Sequence, residues 1–232
     1  MKRPWGQIAR YLVLCFCLSF GPISTAHAQT DALFEAAKTR LLAVTRAPDL
    51  MAQCPADIYR TDQSLWARLV GRTSYQNRST CRADFENCVT ACVDNADARA
   101  CLHVAVLLEQ ADLDDVRLAA RYGHAIACAG GQPSGCTNRG GGIRNVPLQG
   151  DVVSLTPWDD KVDCLFETFN IACKSSDPWG CAMLGQAYQY GEGVAQNSGR
   201  AIELYAQTCL LSTSPTASAC AFANRQLDAL AN

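Results

Sequence analysis

Three segments of the chain end in the same arrangement of bulky and small residues ahead of a cysteine. Four positions before Cys128, Cys173 and Cys209 stand His124, Phe169 and Tyr205, and one position before them stand Ala127, Ala172 and Thr208. Ahead of Cys92 the same places hold Cys88 and Ala91. A bulky residue one helical turn back, with a small residue beside the end, describes a helix that packs by one face. Small residues also recur after a second set of cysteines: four positions beyond Cys101, Cys136 and Cys181 are Ala105, Gly140 and Gly185. A small residue there lets two helices approach closely. The pattern predicts a unit of helix A, connection and helix B, followed by a short loop with a cysteine at each end.

The cysteines carry the period. Cys92 with Cys101, Cys128 with Cys136, Cys173 with Cys181, and Cys209 with Cys220 form four recurring pairs, and their second members are spaced by 35, 45 and 39 residues. These steps suit two-helix repeats. A bridge in each pair would pin the end of one helix B to the start of the next helix A. Because each unit of such an array contacts only its neighbours, this would fix the stacking angle. The expected fold is all-α, an α/α superhelical solenoid of disulfide-stapled helix-turn-helix units. Cys54, Cys81, Cys88 and Cys164 remain, and their pairing is open.

The last full unit brings a family into view. The run Ala182-Met183-Leu184-Gly185-Gln186-Ala187-Tyr188-Gln189-Tyr190-Gly191-Glu192-Gly193-Val194, followed by Ala201, Tyr205 and Ala206, resembles a Sel-1-like repeat, a relative of the tetratricopeptide repeat. With a cysteine at each junction, the chain is similar to the secreted cysteine-rich Sel-1-like proteins of the Helicobacter cysteine-rich protein type. The likeness covers 84–232 by spacing and 177–211 by full motif. It implies that Gly185 allows close helix packing, that Gly191 and Gly193 serve the turn between helices, and that Tyr188 and Tyr205 fill the interhelical core, with Leu184 and Ala201 in the same frame. Upstream, Gln110 to Asp115 replace the turn glycines.

Outside the repeats, residues 29–80 predict helices over Asp31 to Thr45 and Asp62 to Val70 and read as an N-terminal cap with a degenerate unit. Residues 81–232 form the repeat region. An irregular insert at about 140–160 is expected where Gly140, Gly141, Gly142, Pro147, Gly150 and Pro157 interrupt a helix. Such a loop is functional or disordered. Residues from Ala217 onward supply a lone helix A that caps the array.

Lys2, Arg3 and Arg10 precede an apolar stretch from Tyr11 to Phe20 and the small-x-small site Ala26-His27-Ala28, so residues 1–28 read as an export signal cut after Ala28. Its apolar part is about ten residues, short of the ~20 of a spanning helix, and no later segment comes nearer. The mature part is expected to have no transmembrane helix and to be periplasmic or secreted. It holds twelve cysteines, an even number that reads as up to six disulfides in an oxidising compartment. Removal of three basic residues leaves 17 against 22 acidic ones, a net charge of −5. That balance argues against nucleic acid or an anionic membrane as the main partner.

Candidate chemistry is sparse. The family likeness implies a second reading, β-lactam binding or weak β-lactamase-like hydrolysis, but the S-x-x-K, K-T-G and S-D-N elements of a serine β-lactamase are missing. A third reading, thiol/disulfide exchange, needs a thiolate near histidine. Cys128 follows His124 by one turn, yet His124 holds the slot of Phe169 and Tyr205 and reads as a packing residue. Asp112, Asp114 and Asp115 read as a solvated helix start rather than a cation loop. No catalytic, metal or cofactor residue is assigned, and no cofactor is expected. Trp66 reads as core, whereas Trp158 and Trp179 are candidate anchors for a partner. The expected function is a non-enzymatic adaptor that binds a protein or peptide on a helical repeat surface.

Overall fold

The computed structural model describes residues 23–60, 75–110 and 116–231, with side chains from residue 31 onward. All secondary structure among them is helical, and none of these helices is long and apolar enough to cross a membrane. The helices are α1 (Ile23–Leu42), α2 (Ala47–Met51), α3 (Pro55–Ile58), α4 (Arg78–Ala83), α5 (Phe85–Val93), α6 (Ala98–Glu109), α7 (Val116–Ala129), α8 (Pro133–Asn145), α9 (Val152–Leu155), α10 (Trp158–Lys174), α11 (Pro178–Tyr190), α12 (Ser198–Leu211) and α13 (Ser218–Ala231). The predicted helix over 62–70, Trp66 and the Asp112, Asp114, Asp115 run lie outside the described residues.

Each helix from α5 onward, α9 excepted, packs on the next, and the junctions repeat in atomic detail. After Cys128, the amides of 130, 131 and 132 bond back to the carbonyls of Ile126, Cys128 and Ala127. After Cys173, those of Ser175, Ser176 and Asp177 return to Ile171, Cys173 and Ala172. Both loops place their middle residue in the left-handed region, Gly131 at φ 81° and Ser176 at φ 64°. A glycine then precedes each second cysteine. A Cβ on Gly135 would lie 2.8 Å from that of Ala127, and one on Gly180 would lie 2.6 Å from that of Ala172. The small residue beside each first cysteine is therefore the seat for the incoming helix. Asp177 caps the helix that leaves the Cys173 loop, accepting from the Gly180 amide, and Asp97 does the same after Cys92, accepting from the Arg99 and Ala100 amides.

The N-terminal part differs from the expected end cap. α1 lies against α5 and α7, α2 against α7, and α3 against α10. Ala47, Met51 and Ile58 are buried with Tyr122 and Ala125, so the segment runs along the repeats and completes their core. Arg139 grips it by donating to the Leu50 and Met51 carbonyls at 2.8 and 2.9 Å. These are the last carbonyls of α2, which carry its negative dipole end. The Cys54–Cys164 bridge fastens the segment to α10.

The expected irregular insert is also shorter than 140–160. α8 continues through Gly140, Gly141 and Gly142 to Asn145, α9 occupies four residues, and α10 starts at Trp158. Two of the glycines are present because larger neighbours take their space: a Cβ on Gly140 would meet the Phe169 ring at 3.0 Å, and one on Gly142 would meet the Arg121 guanidinium at 2.4 Å. Their helix is held by packing against α7, α10 and α11 rather than by local propensity.

The paired junctions predict opposite effects of opposite substitutions. Ser176→Gly relieves a left-handed serine and is expected to raise stability by about 1 kcal/mol, whereas Gly131→Ser lowers it by a similar amount. Thermal unfolding of both variants under oxidising conditions checks this.

Candidate functional site

The segment that connects α8 to α10 is anchored by buried charge. Arg121 of α7 donates to Asp151 at 2.7 Å and, through its other terminal nitrogen, to the Val146 carbonyl at 2.9 Å. Arg139 of α8 approaches the second oxygen of the same carboxylate at 3.8 Å. Asp151 and Arg139 are fully buried and Arg121 nearly so. Two guanidinium groups thus share one carboxylate and also donate to backbone carbonyls, while the buried Arg139 Nε has no hydrogen-bond partner among the described residues. Burial, together with repulsion from Arg121, brings the Arg139 guanidinium down to about 10 against the attraction of Asp151, so it stays charged at neutral pH.

Ser154 and Lys161 complete the frame. The Ser154 hydroxyl donates to the Asp151 carbonyl at 2.8 Å and accepts from the Leu148 amide at 2.9 Å, and its own amide is capped by Asp151. Lys161 is buried and donates to the Ser154 carbonyl at 2.9 Å. This brings a serine and a lysine together, but both are 7% exposed or less. The hydroxyl is spent on the loop backbone and the ammonium on a carbonyl, so the pair is a clasp and offers no free nucleophile.

The other side of this segment faces water and is apolar. Val146, Val152, Leu155 and Trp158 are 40, 58, 49 and 39% exposed. Four of the nine large apolar side chains that are exposed among the described residues therefore fall within 146–158. Val152 and Leu155 are one turn apart on α9, and Trp158 opens α10 three residues later. Val153 between them turns inward against the cluster of Ile143, Leu165 and Phe169. Trp179, the other candidate anchor, instead packs on Phe222 with ring centroids 5.5 Å apart.

The remaining sites named from the sequence have structural surroundings. Cys92–Cys101, Cys128–Cys136, Cys173–Cys181 and Cys209–Cys220 are bridged, each joining the end of one helix to the start of the next. The four cysteines left open pair as Cys54–Cys164 and Cys81–Cys88. All twelve are thus oxidised, and Cys128 has no thiolate to offer His124. Gly185 lies under the Tyr205 ring, where a Cβ would come within 2.7 Å. Gly191 ends α11 at φ 73° and Gly193 turns at φ 69°. Tyr188 meets Phe166 edge-on at 5.8 Å. Leu184, Ala201 and Tyr205 are buried, and the Tyr205 hydroxyl donates to Gln189 at 2.6 Å. Sequence patterning pointed to none of Arg121, Arg139, Asp151, Ser154 or Lys161. Among the described residues no group of three histidine, cysteine or acidic side chains is placed to hold a metal ion.

His124 is fully buried where the neighbouring units have Phe169 and Tyr205. Its Nε2 is 3.1 Å from Glu109 but poorly aligned, and its Nδ1 has no hydrogen-bond partner among the described residues. Burial pushes the Glu109 carboxyl up, but the His124 contact, backed by Arg121, outweighs this and holds it below the ordinary range.

No protein-family model, curated protein or solved structure matches this chain.

Removing the shared carboxylate is expected to be costly. Asp151→Ala leaves two buried guanidinium groups without a counter-charge and should lower stability by about 3–5 kcal/mol, read as a drop in urea midpoint. The histidine slot predicts a milder result. A carboxyl held low in the folded state stabilises the fold above its unfolded value, and that contribution is lost as pH falls through the folded value. His124→Phe removes that contact and should therefore flatten the decline of the melting temperature between pH 5 and 3, read by thermal unfolding across that range.

Proposed function

We propose that this chain is an exported scaffold that binds a protein or peptide segment, built as a disulfide-stapled solenoid of Sel-1-like helix pairs. The matching junctions after Cys128 and Cys173, and the Gly185–Tyr205 packing in the best-matched unit, support the repeat assignment. Six disulfides fit an oxidising compartment such as a periplasm or an extracellular space, in keeping with the basic and apolar leader.

One observation carries the binding role: the exposed apolar face of Val152, Leu155 and Trp158 stands on a frame of buried charge and hydrogen bonds. Salt bridge, cap and serine clasp fix the backbone beneath it, so a partner would meet the side chains already in position and little ordering entropy would be lost on binding. Tryptophan and leucine held in this way are the kind of anchor on which interface energy concentrates.

A photo-reactive residue introduced in place of Leu155, in cells of the native host, is expected to give one discrete cross-linked adduct. The same residue in place of Ile202, an exposed apolar position on α12, should give none. Adding Trp158→Ala should remove the adduct while the variant keeps a cooperative, fully oxidised fold, checked by thermal unfolding because Trp158 is only 39% exposed. Equal adducts at both positions, or indifference to Trp158→Ala, would overturn the assignment.

A further inference from the structure

We propose that the partner segment is cationic and amphipathic, with an apolar turn that docks on Val152, Leu155 and Trp158 and lysine or arginine side chains that meet the outer face of α10. This inference rests on the scaffold reading and adds the chemistry of its partner.

The charge pattern beside the apolar face is one-sided. Asp159, Asp160, Asp163 and Glu167 follow Trp158 directly, and all four are exposed. Asp159, Asp163 and Glu167 are spaced by four residues and so form a line along one side of α10. Two carboxylates in the first turn are explained by the positive end of the helix dipole, but that effect fades within a turn and leaves Asp163 and Glu167 without a local reason. None of the four forms an ion pair among the described residues, and Glu167 accepts only from Asn170, at 3.1 Å.

Lys174, the other cation of α10, sits seven residues beyond Glu167 in the last turn, at the negative end of the helix dipole, and the cations of the frame are committed elsewhere. Lys161, on the same helix, is turned inward to the Ser154 carbonyl. Arg121 and Arg139 share Asp151, and Arg144 is held bidentately by Glu192 at 2.7 and 3.1 Å. The strip from 159 to 167 is thus an uncompensated negative field that starts where the apolar face ends. A phosphate backbone or an anionic lipid surface would be repelled. A segment with basic side chains flanking an apolar turn would gain on both counts, in rate of encounter and in orientation.

The test uses the whole exported chain with its disulfides intact and two labelled synthetic helical peptides of identical leucine pattern, one with lysine on its polar face and one with glutamate. Fluorescence anisotropy at low salt should show the leucine–lysine peptide binding at least about tenfold more tightly, with the gap closing as salt screens the field. Asp163→Asn combined with Glu167→Gln should weaken its binding about three- to tenfold, and Leu155→Ser combined with Trp158→Ala should abolish it. Equal binding of the two peptides, or indifference to Asp163→Asn/Glu167→Gln, would overturn the cationic partner while leaving the scaffold reading intact. Binding that ignores Leu155→Ser/Trp158→Ala would overturn the docking site itself. Failure of the lysine peptide to bind, or retention of the chain by phosphatidylglycerol vesicles, would also overturn this inference, and cross-linking from position 155 would then judge the scaffold reading alone.

Discussion

A short loop with a cysteine at each end decides how one helix follows the next, and the order of the packed helices depends on it. The loop leaves only three residues for the turn in two of its copies, so the chain must reverse with one residue in the left-handed region and with no side chain at the point of closest approach. Glycine ahead of the second cysteine and alanine beside the first meet that demand together. The sulfur bridge removes unfolded-state freedom, ~2–3 kcal/mol for loops of this length on the chain-entropy account, and leaves the helices no room to slide.

Buried charge does at the centre what sulfur does at the junctions. One carboxylate, Asp151, answers two arginines from successive helices, and those arginines also hold the carbonyls of α2 and of the α8 terminus. An ionic cluster of this kind is a weak source of net stability, because desolvation offsets most of the attraction. Its contribution is to orientation. It ties the N-terminal segment, two helices and the 146–151 loop to a single point and so presents α9 in one pose.

The sequence makes the helical junctions legible because cysteine spacing survives in one dimension. The bulky residue at 124, 169 and 205, the small residue before each first cysteine and the pairing across each loop are all local. The glycines at 135 and 180 are equally local and belong to the same pattern. What cannot be read locally is where distant parts meet. Gly140 to Gly142 look like a helix break because the Arg121 guanidinium that needs the space at Gly142 comes from another helix. Cys54 has no local signal for Cys164, so the course of α2 and α3 along the repeats is hidden, and with it the grip of Arg139. The apolar face falls inside the stretch marked as irregular by its prolines and glycines, and Trp158 was already a candidate anchor. The ionic frame beneath it became visible only when Arg121, Arg139 and Asp151 came together in space.

Five bridges join cysteines that are consecutive in the chain, 7 to 11 residues apart, and one spans 110. A polypeptide that enters an oxidising compartment from its N-terminus presents Cys54 long before Cys164. The next thiols to emerge are Cys81 and Cys88, followed by the members of two further pairs before Cys164 appears. Each short pair can close as soon as its own two helices are present, but Cys54 must remain reduced, or form a mixed or mistaken bridge that is later exchanged, until residue 164 has crossed. If the bridges close in order of emergence, only Cys54–Cys164 calls for exchange, so a thiol–disulfide isomerase would act on this chain at a single residue, and without one the junctions would be correct while the N-terminal segment was tied to the wrong place.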